Sequence, residues 1–528
     1  MTNTIGDIGE ADVILVVGSN TTENHPVLSS VVKRAVKYKN AKLLVVDPRQ
    51  IKLTKFADQW LRPNLGVDVA WINGLMHVII AENLHDKAFI EKRTTDFEGL
   101  KSMVEKFTPD IVEGITGIPA QQIIDAARMY ATAKAGAILY CMGITQHTTG
   151  TDNVKSLANL SMLCGNLGIP GGGVNPLRGQ NNVQGACDMG GLPNVYTGYQ
   201  PVTDAAVRKK MEDAWGVTGL PDKVGLTVTQ MVPMAHDGDI KAFYIIGENP
   251  LVSDPDLNHA EKSFANLEFL VVQDIFMTET TKMADVVLPA TCFAEKDGTF
   301  TNTERRVQRV RKAVDAPGDA WEDWKITSEI AKRMGYPMAY KNAHEIFEEI
   351  REVTPSYAGV TYERIERQGL HWPCPTQKHP GTPILHTQQF SRGKGVFHAI
   401  DYIAPAEKVD DEYPLYLTTG RVLYHYHTGT MTRRTEGLNE RAPESFVEIS
   451  AKDAEKFGVE DKAMISVASR RGEIKVRAKV SEMVDNGTVF IPFHFAEAAA
   501  NRLTHAALDP ISNIPEFKVC AIKLSSAA

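Results

Sequence analysis

ADVILVVGSN at residues 11–20, HPVLSSVVKRAVKYKN at 25–40 and AKLLVVDPR at 41–49 together decide the fold. The first is a continuous β-branched run that ends in Gly18, the pattern of a strand buried on both faces. The second repeats apolar residues at three-to-four spacing with basic residues opposite, as an amphipathic helix does. The third is another buried strand. Strand, helix, strand in that order is a βαβ unit, and its two strands lie parallel.

Working outward, the alternation continues through LMHVIIAENL (75–84), a helix around QQIIDAARMYATAK (121–134) and the strand AGAILYCMG (135–143). Residues 1–180 therefore read as a doubly wound, Rossmann-like α/β domain. The glycine-dense stretch 165–194 has neither helical nor strand period and reads as a long functional loop. Residues 181–343 form a second α/β domain, with buried strands in KAFYIIGENP (241–250), LEFLVVQDIF (267–276) and ADVVLPAT (284–291) and a helix in WEDWKITSEIAKRMG (321–335). Residues 344–405 are rich in Pro and Gly and read as a connecting and packing segment. From 406 to 528 the period changes to two, in YPLYLTTGR (413–421), AMISVASRRGEIKVRAKV (463–480) and GTVFIPF (487–493), with turns at Arg471-Gly472 and Asn486-Gly487. A C-terminal β-barrel is expected there.

The 528 residues exceed what one hydrophobic core organises, so several domains are required. Hydrophobic content of 43% and charged content of 23% are those of a globular chain, and no stretch approaches the roughly 20 apolar residues of a membrane span. The first residues carry no basic n-region before an apolar run, so the cytoplasm is the expected location. A formal net charge of −8 offers no electrostatic footprint for nucleic acid. Six cysteines lie far apart without a C-x-x-C pair, so no zinc or iron-sulfur site is expected in the chain and no metal ligand is assigned. Cys374, in the polar loop HWPCPTQ (371–377), is the cysteine expected to meet solvent.

Ligands of a doubly wound sheet bind beyond the carboxyl ends of its strands. Gly18-Ser19-Asn20 there forms a small-residue turn whose N–H groups can approach a phosphate. Asp47-Pro48-Arg49 offers a carboxylate for sugar hydroxyls or base N–H groups and a guanidinium for phosphate, although a plain Asp-Pro turn remains an alternative. No G-x-G-x-x-G follows either strand, which weighs against an ordinary NAD site. Gly247-Glu248-Asn249 with Ser253, and Gln273-Asp274, repeat the pattern in the second half, so two nucleotide-sized sites are expected. Arg178, set among Gly179, Gln180, Asn181 and Asn182, presents a planar donor fork suited to a small carboxylate, with a merely structural arginine as the alternative. His425 and His427 sit at i, i+2, on one face of a strand if the period holds, and could also form a metal pair.

The runs QDIFMTETTKMADVVLPATCFAEKDGTFTNTERRVQ (273–308) and VNPLRGQNNVQGACDMG (174–190) resemble the dimethyl sulfoxide reductase superfamily, the second its formate dehydrogenases. LTTGRVLYHYHTGTMTRR (417–434) and IPEFKVCAIKL (514–524) resemble its C-terminal pterin-capping domain. The resemblance covers essentially the whole chain. It implies molybdenum or tungsten held by two molybdopterin guanine dinucleotides, between two α/β domains and a barrel. Gly18, Asn20, Asp47, Arg49, Gly66 and Asp68 fall where the family surrounds one dinucleotide, and Met142, Gly143 and Gln146 where a loop lies beside the pterin. Asn249, Ser253, Gln273, Asp274 and Asp323 fall at the other dinucleotide, with Arg421, His425, His427 and Lys518 closing that site from the barrel. Asp323 would accept two N–H groups of a guanine edge. Arg178, flanked by Gly179 and Gln180 at the cofactor, would hold formate while its C–H bond breaks as a hydride, or as a proton plus two electrons, and CO2 leaves.

Members of the family also carry an N-terminal iron-sulfur domain holding a [4Fe-4S] cluster, then a selenocysteine or cysteine metal ligand followed by histidine. Neither occurs here, and the first five residues resemble the stretch just past that ligand. The expectation is a chain begun at an internal methionine because a selenocysteine UGA was read as a stop, inactive alone, with iron-sulfur or other electron-transfer subunits as partners; a genuine truncation, or a split subunit whose other chain supplies the N-terminal quarter, is the alternative. Competing functions are another oxotransferase, such as a nitrate reductase, and a cofactor-free scaffold subunit of a respiratory complex.

Overall fold

The computed structural model describes residues 1–526. Two compact units make up the chain: one of residues 1–177, 252–258 and 384–528, the other of 178–251 and 259–383.

In the first unit, β1 (Val13–Val17), β2 (Lys42–Val46), β3 (Gln59–Leu61), β4 (Gly136–Tyr140) and β5 (Val174–Pro176) form a parallel sheet in the order β3-β2-β1-β4-β5. The order reverses direction at β1, which sits centrally between β2 and β4 with Val13 opposite Lys42 and Gly136. Alternating side chains of β1 go to opposite faces. Val13, Leu15 and Val17 join Trp71, Leu75, Ile123 and Leu160 in one core, while Ile14 and Val16 join Leu28, Val32 and Ala35 in another. This two-sided burial is why the strand reads as an unbroken apolar run.

The second unit holds β6 (Ala242–Ile246), β7 (Phe269–Asp274) and β8 (Val286–Pro289), parallel, with β7 central. Its core lies on one face, from Val232, Leu251, Ala260, Phe264, Leu270 and Val272. On the other face Tyr244, Ile246 and Phe269 are exposed. An antiparallel hairpin of Gly298–Thr301 and Arg306–Val310 follows.

A closed barrel completes the first unit: β9 (Leu415–Gly420), β10 (Phe446–Ile449), β11 (Met464–Ala468), β12 (Glu473–Val480), β13 (Thr488–Pro492) and β14 (Cys520–Ser526), in the order β9-β13-β10-β12-β11-β14. Ile474, Val476 and Ala478 of β12 point inward between exposed neighbours, the period-two pattern of a barrel wall.

Two local expectations are corrected, and the connecting segment carries one element the sequence did not reveal. Ala343–Val353 is a helix capped by Asn342, whose Oδ1 accepts from Glu345 N at 3.0 Å. Its Ile346, Phe347, Ile350 and Val353 have helical spacing, obscured by the Pro and Gly that follow, and Phe347 packs with Tyr357 and Val360. Cys374 is fully buried in that same cluster, its Sγ 3.3 Å from Arg364 Nη1 and 3.5 Å from the His379 carbonyl. His425 and His427 do not share a strand face, because β9 ends at Gly420 and the chain then turns, with His427 at φ +49°.

Candidate functional site

The carboxyl ends of β1, β2 and β4 open into a cleft whose lining includes Gly18, Asn20, Asp47, Arg49, Gly66, Asp68, Met142, Gly143 and His147, with Arg421, Phe490 and Lys518 arriving from the barrel. The turns after β1 and β4 are pressed together. Gly143 N donates to the Gly18 carbonyl at 3.0 Å, and a Cβ on Gly143 would lie 2.5 Å from Gly18 Cα. Gly18 also has φ +53° and would place a Cβ 2.7 Å from the Gly143 carbonyl carbon. Glycine is required at both for contact and at Gly18 for conformation as well.

The cleft is electropositive and under-satisfied. Arg49 donates from Nη2 to Glu448 Oε2 at 2.7 Å, and its guanidinium lies 3.5 Å from the centre of the Phe490 ring. Lys518 donates to the Thr419 carbonyl at 2.6 Å, and burial pulls its pKa down to about 8. Burial also lowers the pKa of Arg421, whose guanidinium is near Phe493. Burial raises Asp47 to about 6, against the backbone N–H and charge of Arg49. Asp68 is likewise raised by burial, with His147 opposing. At His147, burial disfavours the imidazolium, but Glu516 (3.7 Å) and Asp68 (3.8 Å) outweigh it and the pKa is raised.

The donor set fits a phosphate-bearing pterin nucleotide. Arg421 Nε and Nη2, Arg49 Nε, Ser19 Oγ and Asn20 Oδ1 are all buried without a hydrogen-bond partner among the described residues. Each such group costs about 1–3 kcal/mol when left unsatisfied, more when charged. Anion oxygens would satisfy the guanidinium N–H groups, and ligand hydroxyl or N–H groups would satisfy Asn20.

The remaining expected residues are placed as follows. Arg421 and Lys518, expected at the second nucleotide set, line the cleft of the first sheet together with Asp47 and Arg49: β9 runs parallel to β13, so its end at Gly420 delivers Arg421 there. Gln146 caps the short helix Met142–Thr145, donating its backbone N–H to Met142. His425 is held by the Ala442 carbonyl (Nε2, 2.6 Å) and Thr432 Oγ1 (Nδ1, 3.3 Å), so both ring nitrogens are engaged. His427 is neutral at ordinary pH, burial and Arg421 pulling its pKa to about 4. Ser253 Oγ lies 3.5 Å from Asp254 Oδ1, and its carbonyl accepts from Asn501.

In the second unit, Gln273 at the end of β7 donates to Asp323 Oδ1 at 2.7 Å and accepts from Tyr244 at 2.5 Å, while Asp323 also meets Lys296. The Asn249 side chain holds Glu279 at 2.8 Å and Thr280 Oγ1 at 2.7 Å, and Asp274 accepts from Ile275 N. Arg178, half-buried, begins the loop containing Gly179 and Gln180, and its backbone N–H donates to Thr303 Oγ1 at 3.0 Å.

Sequence reasoning missed His147, Glu448, Phe490 and His494. His147 lies beside the named Gln146 and meets the Gly143 carbonyl, whereas the other three come from segments remote in sequence from the residues they serve; Glu448 is 399 positions from Arg49. His494 accepts from Val422 N at 2.9 Å through Nε2 and engages the His427 carbonyl through Nδ1, which pins the segment carrying Arg421. The one available signal was a charged or polar residue inside an apolar strand, as in FVEIS (446–450) and FIPFHF (490–495).

Residues 1–333 match the family model described as molybdopterin oxidoreductase, and 415–521 that of the molydopterin dinucleotide binding domain. The chain is 52% identical to "F420-dependent formate dehydrogenase 1 subunit alpha" of Methanococcus maripaludis, over 99% of its own length and 78% of that protein's. It is 52% identical, with the same coverages, to "F420-dependent formate dehydrogenase subunit alpha" of Methanocaldococcus jannaschii. Formate dehydrogenase H of Escherichia coli is 44% identical over 100% of this chain and 74% of its own. Among solved structures, acetylene hydratase from Pelobacter acetylenicus superposes with a TM-score of 0.80 at 21% identity, covering 99% of this chain and 79% of its own, which speaks to the fold. With the sheet, the barrel and the cleft between them in place, this chain belongs to the molybdopterin oxidoreductase family.

Proposed function

We propose that the chain is the catalytic part of a formate dehydrogenase, which oxidises formate to CO2, a proton and two electrons at a bis(molybdopterin guanine dinucleotide) centre of molybdenum or tungsten. The observation that carries the reading is the 52% identity to formate dehydrogenase alpha subunits across 99% of the chain. The Arg178 loop supports it. When bound, the cofactor supplies the two-electron redox centre. Arg49, Arg421 and Lys518 hold anionic oxygens of one dinucleotide, and Asp47 and Asn20 take its hydroxyl or N–H groups. Gln273, Asp323 and Asn249 face the other. Arg178 orients the substrate carboxylate through its planar fork. Neutral His427 leaves no competing imidazolium beside Arg421.

No described helix is long and apolar enough to cross a membrane. The cytoplasm as location, an iron-sulfur domain and a selenocysteine or cysteine ligand in the complete enzyme, and electron-transfer subunits as acceptors are part of this proposal. The test is formate-dependent reduction of benzyl viologen by the cofactor-loaded enzyme, alongside nitrate-dependent oxidation of reduced viologen. Formate activity is expected, with two GMP released per metal on acid hydrolysis. Activity with nitrate alone would overturn it. Arg178→Ala should raise the formate KM about 30-fold, the equivalent of about 2 kcal/mol for a charge-assisted contact.

A further inference from the structure

Arg178 leads into a short helix, Val183–Asp188, whose Gln184 and Asp188 lie one turn apart and are both buried. Arg178 Nε donates to Gln184 Oε1 at 3.3 Å. The other end of that amide, Nε2, donates to Asp188 Oδ1 at 2.8 Å and to the Tyr199 oxygen at 2.9 Å. Tyr199 donates on to Asp188 Oδ1 at 2.9 Å, and Tyr357 donates to Asp188 Oδ2 at 2.5 Å. Three donors converge on a carboxylate that is 1% exposed.

We propose that Asp188 is a positioning residue for formate oxidation: acting through the Gln184 amide, it fixes the plane of the Arg178 guanidinium that receives the substrate carboxylate. The proposal rests on the substrate role given to Arg178 above. With both phenols donating to it, Asp188 meets the amide through an acceptor oxygen, so it selects the NH2 end of the amide and turns the carbonyl toward Arg178. The flipped amide would set its carbonyl against the carboxylate and its NH2 against the guanidinium N–H, two repulsions at buried positions. Asparagine at 188 can donate or accept and removes this selection. Holding Nε then holds the whole fork, because the guanidinium is planar. An aspartate that merely satisfied the two phenols would not need Gln184 between itself and the arginine.

The test is a double-mutant cycle in the cofactor-loaded enzyme with Asp188→Asn and Gln184→Leu. Each single variant should raise the formate KM about tenfold while kcat changes less than twofold, and the double variant should be no worse than Gln184→Leu alone. A readout independent of turnover is phenylglyoxal labelling of Arg178 followed by mass spectrometry. The formate concentration that half-protects Arg178 should rise about tenfold in Asp188→Asn, with metal and GMP content unchanged. Additive effects in the double variant, or an unchanged KM with a lowered unfolding temperature, would overturn the proposal. Should Asp188→Asn fail to accumulate, Gln184→Met breaks the link from the other end, and wild-type protection in that variant would also overturn it. Arg178→Ala separates the two readings: a wild-type KM there removes the substrate role itself, whereas a raised KM there with none in Asp188→Asn removes only the role of Asp188.

Discussion

Arg421 and Lys518 are two buried cations, and the carboxylate that acts on Lys518 in the cleft, Asp47, is itself raised toward the neutral form. An unpaired buried charge opposes folding, while the same charge favours an anionic ligand. Arg421→Met should therefore act with opposite signs: the ligand-free protein gains about 1–3 kcal/mol in urea unfolding, and the enzyme isolated from cells loses metal and GMP. A loss of stability in the ligand-free variant would contradict this account. Asp47 gives a pH signature. With its pKa raised from 3.8 to about 6, its contribution is fully present below pH 4 and is lost as pH rises through 6. Relative to Asp47→Asn, the ligand-free wild type should lose about 2 kcal/mol between pH 4 and pH 7, and parallel pH profiles would exclude it. At this scale, Asp47 and Arg49 were legible because they follow a buried strand directly. Glu448 and Phe490, which hold Arg49 in place, were not, since nothing local in FVEIS or FIPFHF names a partner hundreds of residues away.

Elements join the cleft through their ends. The back-to-back turns at Gly18 and Gly143 leave no room for a side chain, so Gly143→Ala must separate β1 from β4 at the cleft. Overpacking of this kind costs about 1–3 kcal/mol; the expected result is a matching fall in the urea midpoint together with a fall in bound GMP, and a variant with wild-type GMP content would refute it. The strands were readable because burial leaves a periodic mark, continuous in the sheet and alternating in the barrel. The helix Ala343–Val353 carries the same mark over only 11 residues and was hidden by the prolines and glycines that follow. The segment after Gly420 was misread as strand because alternation persists in RVLYHYH (421–427) although no neighbouring strand pairs with it; His494 fixes its path instead.

For the whole molecule, the α/β, α/β, barrel succession was legible from the change of period, but the joining of residues 1–177 with 384–528 in one compact unit was not. Periodicity reports each element's own burial and is silent on which distant element covers it, so the meeting of Lys518 and Arg421 with Asp47 and Arg49 in one cleft could not be read from the sequence. The 421–445 segment, which delivers Arg421, is mostly irregular, with only the short helices Thr432–Arg434 and Glu436–Arg441, and is tied down by His494, His425 and an Arg433–Glu497 pair at 2.5 Å. Those ties work against the unbalanced charge of Arg421 until an anion arrives. The empty chain should therefore be nicked by trypsin between 421 and 445 at least tenfold faster than the loaded one, and equal cleavage rates would count against it. Inside a cell the same arithmetic becomes an inspection step: polypeptides that never receive their cofactor are the ones that turnover removes.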